Sequence, residues 1–290
     1  MDSNIQKKLT IIIPAFNEEF AIGEVVKQVQ THCFNLIQEI IVVDDGSHDR
    51  TNMIAEAAGA HVIRHNQNMG YGAAIKTGIH YAQTEWVLIM DADGQHRVED
   101  VLSLSQLMGK CDMAIGHRTG VVHSNLWRMP GKWFLGLMAN YLTRRTIPDI
   151  NSGLRLIRRD LALKYIHICP SGFSFSTTMT LAFHNRQYNV TYIPIQVGKR
   201  YSGQSTVSIG TGLDTFILIL RIASLFGPLR IFIPLSVSIG LIGILLGVYY
   251  IIKAFTITGA PILLMVTSLI LFALGLICDQ ISQLRLERFE

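Results

Sequence analysis

Residues 231 to 252 carry no charged side chain over 22 positions, and residues 254 to 278 carry none over 25. A helix needs about 20 apolar residues to cross a hydrocarbon core of about 30 Å, so each run is long enough to span. A soluble fold would have to cover both runs, and the rest of a 290-residue chain offers no partner large enough. Lys253 and a short Thr-Ile-Thr-Gly-Ala-Pro turn join them, so residues 230–282 read as a transmembrane hairpin, with a tail at 283–290. Pro234 and the glycines are tolerated in such helices. Arg221 and Arg230 precede the first run, and Arg285 and Arg288 follow the second. The positive-inside rule then puts both flanks in the cytoplasm and makes the chain a multi-pass protein of the inner (plasma) membrane.

The mean hydropathy of +0.34 comes mostly from that end. Residues 1–206 have the composition of a globular domain large enough to bury a core. Residues 207–226 are apolar but interrupted by Asp214 and Arg221, so the linking segment, 207–229, reads as an amphipathic juxtamembrane helix. Met1 to Lys8 has no long apolar run, so no secretory signal is expected. Cys33, Cys111, Cys169 and Cys278 lack metal-ligand or CxxC spacing, as reduced cytosolic thiols would. A cytoplasmic location leaves the glycosylation sequon Asn189-Val190-Thr191 without use.

Strand and helix patterns alternate along the first 115 residues. Apolar β-rich runs at Leu9–Ile13 (stopped by Pro14), Glu39–Val43, Ala60–Ile63, Trp86–Met90 and Met113–Ile115 read as strands. Helical spacing falls at Ile22–Val29, Ser47–Ala58 (capped by Ser47 or Asp49), Gly72–Ala82 and Val98–Met108. Such alternation predicts an α/β domain with a doubly wound, mostly parallel sheet. Ligands of these sheets bind beyond the carboxyl ends of the strands.

Acidic motifs fall at those ends. Trp86–Met90 runs into Asp91-Ala92-Asp93-Gly94-Gln95. Along a strand, i and i+2 share a face, so two carboxylates one residue apart repel unless a cation lies between them. A divalent metal on a diphosphate is the obvious candidate. Asp44-Asp45-Gly46 ends the second strand and suits ribose or base contacts, although either acid serves equally as a helix cap. Pro14-Ala15-Phe16-Asn17-Glu18 follows the first strand. Gly70-Tyr71-Gly72-Ala73-Ala74-Ile75-Lys76-Thr77 is no phosphate loop, because Ile75 stands where that loop needs glycine. Close approach of another backbone explains its glycines more simply.

Residues 118–159 hold eight Lys or Arg (118, 128, 132, 144, 145, 155, 158, 159) against one acid, Asp149, a balance of +7. Trp127, Trp133 and Phe134 are interleaved. This stretch suits a membrane surface and a phosphate group, and the adjoining spans argue against nucleic acid.

Taken together, the order Pro-x-x-Asn-Glu, Asp-Asp-Gly-Ser-x-Asp, Asn68-x-Gly70 and Asp-Ala-Asp-Gly-Gln resembles the inverting family-2 glycosyltransferases of GT-A (Rossmann-like) fold. The resemblance continues through Gly116-His117-Arg118, Asn151-Ser152-Gly153-Leu154-Arg155 and Arg200-Tyr201-Ser202-Gly203-Gln204-Ser205. This longer set is similar to the polyprenyl-phosphate branch, the dolichyl-phosphate mannose synthases and bacterial polyprenyl-phosphate hexose transferases. Thr206 replaces the lysine usual at that corner, and Leu154 the usual phenylalanine.

The resemblance implies that Asp91, Asp93 and Gln95 hold Mg²⁺ or Mn²⁺ on a nucleotide-sugar diphosphate. Pro14, Phe16, Glu18, Asp44 and Asp45 would bind the donor. Arg118 and Arg128, with Lys132, would bind the phosphate of a polyprenyl acceptor, and Arg200 and Ser205 would close over both substrates. Asp93, Arg118, Arg128 and Arg200 are the catalytic candidates. An acceptor that is already an anion needs no strong base. The alternatives are transfer to another lipid acceptor and a non-catalytic nucleotide-sugar-binding membrane subunit. A processive polysaccharide synthase is disfavoured, because the chain lacks a Gln-x-x-Arg-Trp motif. Gly240, Gly243 and Gly247 offer a small-residue face for a homo-oligomer through the spans.

Overall fold

A computed structural model describes residues 9–119, 137, 140–141, 146–198, 220–222, 224–255 and 258–287. Arg128, Lys132, Arg200 and Ser205 lie outside the described residues, as does most of the expected juxtamembrane helix. The chain divides into two units, 1–136 with 145–209, and 137–144 with 210–290.

In the first unit the strands are β1 (Leu9–Ala15), β2 (Ile37–Asp44), β3 (His61–Arg64), β4 (Trp86–Ile89), β5 (Met113–Arg118), β6 (Arg155–Arg158) and β7 (Val190–Ile195). The helices are α1 (Ile22–Cys33), α2 (Thr51–Ala57), α3 (Tyr71–Tyr81), α4 (Val98–Ser105), α5 (Arg159–Tyr165) and α6 (Phe175–Asn185). The strands form one sheet in the order β3-β2-β1-β4-β6-β5-β7. Among the described strands only β6 runs antiparallel, to its neighbours β4 and β5. The expected mostly parallel α/β sheet is therefore present. β1 is buried along its whole length, which is why Leu-Thr-Ile-Ile-Ile reads as a continuous apolar run rather than an alternating one.

Several details differ from the pattern in the sequence. β1 does not stop at Pro14 but continues to Ala15, with Pro14 opposite Val43. At a strand end a missing N–H removes one ladder bond without breaking the pairing. Helix α2 starts at Thr51, and Asp49 Oδ1 accepts from both the backbone N and the hydroxyl of Thr51. Strand β6 lies inside the basic stretch, where arginines at both of its ends obscure its pattern.

Three of the described cations in that stretch serve the fold. Arg155 is 0% exposed. Arg158 pairs with Asp160 at 2.7 Å and Asp112 at 3.2 Å. Arg159 donates to the carbonyls of Ile79 and His80. These three cations hold the fold together.

The second unit contains α7 (Pro228–Ala254) and α8 (Gly259–Glu287). Each includes a stretch long and apolar enough to span, with an 18-residue window of mean hydropathy 2.5 inside Pro228–Lys253 and one of 2.6 inside Gly259–Arg285. Pro234 has no N–H for the carbonyl of Arg230, and the Tyr141 hydroxyl donates to that oxygen at 2.9 Å. The Ser268 hydroxyl donates to the carbonyl of Ser236 at 2.7 Å, joining the two helices. The glycine face points inward. A Cβ on Gly240 would meet Ser268 at 2.8 Å, and one on Gly243 would meet Leu264 at 3.1 Å. These small residues let α7 and α8 of one chain approach closely.

Candidate active site

The register of the sheet brings the acidic motifs together. Ala15 pairs with Asp44, and Ile12 with Ile89, so the loops after β1, β2 and β4 leave the same edge. Strand β4 ends at Ile89, and Asp91 and Asp93 stand on a turn beyond it, where Gly94 has φ 75°. Strand alternation therefore does not aim these carboxylates; the turn and its neighbours do.

Asp91 is held from three sides. The Tyr71 hydroxyl donates to Oδ1 at 2.9 Å, and His96 Nε2 lies 3.4 Å from Oδ2. The backbone of Gly153 closes the third side so tightly that a Cβ there would fall 2.1 Å from Oδ2. Burial opposes ionisation of Asp91, but His96, Tyr71 and Arg118 outweigh it and hold its pKa below the ordinary value. Burial likewise opposes the charged form of His96, and Asp91 with Asp93 outweighs it and raises that pKa. His96 Nδ1 is buried and makes no hydrogen bond among the described residues.

Asp93 Oδ1 accepts from the backbone N of Gln95 at 3.1 Å. Gln95 is latched to Gly198 twice: its side-chain Nε2 donates to the Gly198 carbonyl at 3.1 Å, and its own carbonyl accepts from Gly198 N at 2.9 Å. Among the described residues no three His, Cys, Asp or Glu side chains converge as a closed metal cage. By donor type alone, the two carboxylates and the amide oxygen of Asp91, Asp93 and Gln95 suit a hard divalent cation that takes its remaining ligands from a substrate phosphate.

Asp45 is 3% exposed, and its carboxylate is committed within the fold. Oδ1 accepts from Met69 N at 2.9 Å and His65 Nδ1 at 2.7 Å, and Oδ2 from Gly70 N at 2.8 Å. It fixes the loop that leads into α3. Asp44 Oδ1 accepts from Ser47 N at 2.9 Å, while Oδ2 lies 3.3 Å from Arg64 Nε without hydrogen-bond geometry. Beyond these acids a cleft of about 430 Å³ is lined by residues 46–48 and 64–68. Phe16 is half-buried, with the His48 ring edge-on to it at 6.3 Å. Pro14 is buried in β1. Glu18 donates its backbone N to Thr51 Oγ1 at 2.9 Å, and its carbonyl accepts from Ala21 and Ile22 at the start of α1.

Arg118 ends β5 and forms a two-point bond to Asp149, Nε to Oδ2 at 2.7 Å and Nη2 to Oδ1 at 3.0 Å. A phosphate arriving there would meet a guanidinium that already has a carboxylate partner. Arg155 donates to the carbonyls of Ser152, Ser176 and Ile150 and to Thr180 Oγ1. Burial pulls its pKa down, and the nearby Tyr71, Asp149, Tyr192 and Asp91 act against that. It ties the 150–153 turn to α6 and so keeps Gly153 against Asp91.

Tyr71, His96, Asp149 and Gly153 were not among the site candidates. His96 directly follows the acidic motif, and Tyr71 sits between the glycines read as a close backbone approach; those two signals were available.

Residues 10–166, more than half of the chain, match Glycosyl transferase family 2. The chain belongs to that family. This family-2 glycosyltransferase also matches the GtrB C-terminal hairpin over residues 227–284. An uncharacterized protein of Methanocaldococcus jannaschii is 36% identical over 169 residues, 55% of this chain and 68% of that protein. An undecaprenyl-phosphate 4-deoxy-4-formamido-L-arabinose transferase of Salmonella choleraesuis is 27% identical over 214 residues, 70% of this chain and 63% of that protein. The chain thus spans somewhat less than two thirds of that relative. Among solved structures, glucosyl-3-phosphoglycerate synthase of Mycobacterium tuberculosis superposes with TM-score 0.63 at 19% identity, covering 77% of this chain and 81% of that one. The same enzyme has been solved with Mn²⁺, UDP and glucosyl-3-phosphoglycerate, TM-score 0.61 at 18% identity, covering 77% of this chain and 81% of that one. At these identities the likeness establishes the GT-A fold for this family-2 glycosyltransferase.

Proposed function

We propose that the chain transfers a hexose from a nucleoside-diphosphate sugar to a polyprenyl monophosphate, with inversion, at the cytoplasmic face of the membrane. The observation that carries this reading is the match to the GtrB C-terminal hairpin in a chain whose first half is a family-2 glycosyltransferase. A relative named for transfer to undecaprenyl phosphate supports the acceptor class.

Asp91, Asp93 and Gln95 would hold Mg²⁺ or Mn²⁺. A divalent cation there supplies neutralisation of the charge that develops on the leaving nucleoside diphosphate. Tyr71, His96 and Gly153 fix the carboxylate of Asp91 before substrate arrives, so little reorganisation is needed during reaction. The cleft past β2 and β3, with Phe16 and His48, takes the nucleoside. Arg118, with Arg128 and Lys132, takes the acceptor phosphate, and Arg200 and Ser205 close the site. The acceptor oxygen is already anionic, so Asp93 is not required as a strong base. The chain's work is to hold two phosphates close despite their repulsion, and arginine suits this because its donors match phosphate oxygens in pairs. The domains follow as a catalytic domain at 1–206, a juxtamembrane segment at 207–229 and a hairpin at 230–282.

Membranes carrying the protein, given a panel of labelled nucleotide sugars with undecaprenyl phosphate or diacylglycerol, test the acceptor. Label in a mild-acid-labile lipid that depends on added undecaprenyl phosphate is the expected result. Label in diacylglycerol, or in no lipid at all, would overturn the reading.

A further inference from the structure

Phe173 stands in the loop between α5 and α6 and is 49% exposed. A lone exposed aromatic is ordinary on a protein surface. What sets this one apart is how firmly it is held and what it adjoins. The Phe173 ring stacks on Tyr71, with centroids 5.3 Å apart and planes inclined by 19°. Tyr71 in turn donates its hydroxyl to Asp91 Oδ1.

The loop that carries Phe173 is pinned to the start of α3 at several points. Ala73 N donates to the Ser171 carbonyl at 3.0 Å, and Lys76 Nζ donates to the Cys169 carbonyl. Gly70 has φ 101°, and a Cβ there would lie 2.6 Å from the Ser171 carbonyl oxygen; one on Gly72 would lie 2.5 Å from that of Pro170. Glycine is required at both positions for the loop to come this close. Phe175 N then donates to the Gly172 carbonyl and starts α6. The exposed ring is therefore pre-positioned, which lowers the entropy lost when a ligand covers it.

We propose that Phe173, backed by Tyr71, is the platform on which the donor's hexose ring rests. This extends the reading that Asp91 lies at the donor diphosphate. In a nucleotide sugar the anomeric carbon is bonded directly to the terminal phosphate oxygen, so the sugar ring must sit next to whatever holds that phosphate. The aromatic surface reached from Asp91 through Tyr71 is Phe173. A pyranose presents a face of C–H groups, and an aromatic ring with its negative π-face is a suitable partner for it. The Tyr71 hydroxyl is engaged by Asp91, so it fixes the stack and leaves the outer ring for the sugar.

The test compares nucleotide sugars with their own nucleoside diphosphates. Full-length protein in nanodiscs is titrated with UDP, GDP, UDP-glucose and GDP-mannose in the presence of Mn²⁺, for wild type, Phe173→Ala, Phe173→Leu and Phe173→Trp. In the wild type at least one nucleotide sugar binds more tightly than its nucleoside diphosphate. Phe173→Ala and Phe173→Leu weaken that sugar nucleotide about 3- to 10-fold, while the nucleoside diphosphate changes less than about twofold. Phe173→Trp restores the difference. Phe173→Leu keeps apolar bulk and guards against a folding defect in the alanine variant. Equal weakening of both ligands would reduce Phe173 to a shaping role and overturn the proposal. So would an unchanged donor affinity with a raised KM for polyprenyl phosphate, which would assign the ring to the acceptor. Wild-type protein that binds none of the four ligands would overturn the donor-site reading, and the platform with it.

Discussion

The Tyr71 hydroxyl lies 2.9 Å from Oδ1 of Asp91, joining the first residue of α3 to the turn after β4. Tyr71 is itself positioned by Asp45, whose carboxylate accepts from Met69 N and Gly70 N just before the helix. An acid at the end of β2 thereby helps to orient an acid beyond the end of β4.

Tyr71→Phe removes that bond and keeps the ring. Partners of metal-ligating side chains commonly contribute 10- to 100-fold in metal affinity or activity, so the expected outcome is a rise of about tenfold in the Mn²⁺ concentration for half-maximal rate. The metal dependence of the initial transfer rate measures it. An unchanged half-maximal concentration would remove Tyr71 from the site.

Gly153→Ala places a Cβ 2.1 Å from the present position of Asp91 Oδ2. The group that must yield is the end of a side chain, so Asp91 rotates away and the backbone stays. The fold should lose no more than about 1 kcal/mol, while misplacing the carboxylate by about an ångström should lower the rate about 10²-fold. Thermal unfolding and initial rates together check this. Equal losses in both would mean that Gly153 serves the fold alone.

Asp149 carries a pH signature. Burial would raise its pKa, but the two-point bond to Arg118 outweighs burial and holds it below the ordinary 3.8. A depressed folded-state value contributes stability that is present above the unfolded pKa and is lost as pH falls through the folded one. Asp149→Asn should therefore cost about 1 kcal/mol at pH 7, since Arg118 is partly exposed. The gap between variant and wild type should close as pH drops below 3.8. Melting temperatures across that range provide the check. A gap that widens on acidification would contradict the assignment.

The sheet up to β5 was legible because its strands are nearly pure apolar runs punctuated by acids and glycines. Strand β6 was not, because Arg155 looks like a surface charge and is instead 0% exposed, satisfied by four neutral oxygens from two segments, the 150–153 turn and α6. No local pattern announces such a residue. In the site, the motif singled out Asp91 and Asp93, yet the groups that set the chemistry of Asp91 come from distant positions. Tyr71 is 20 residues away, and Gly153 arrives through the antiparallel return of β6. Gly240 and Gly243 of α7 meet Ser268 and Leu264 of α8, a partner that the spacing of small residues does not name, because spacing does not say which helix they meet.

The most direct test of the account is the initial rate of hexose transfer to undecaprenyl phosphate by wild type, Asp91→Asn and Asp93→Asn, each with and without EDTA. If the two carboxylates hold a divalent cation on the donor diphosphate, each variant and the chelated wild type should lose about 10²-fold or more. Turnover near the wild-type level in Asp93→Asn, or in wild type with EDTA, would contradict it.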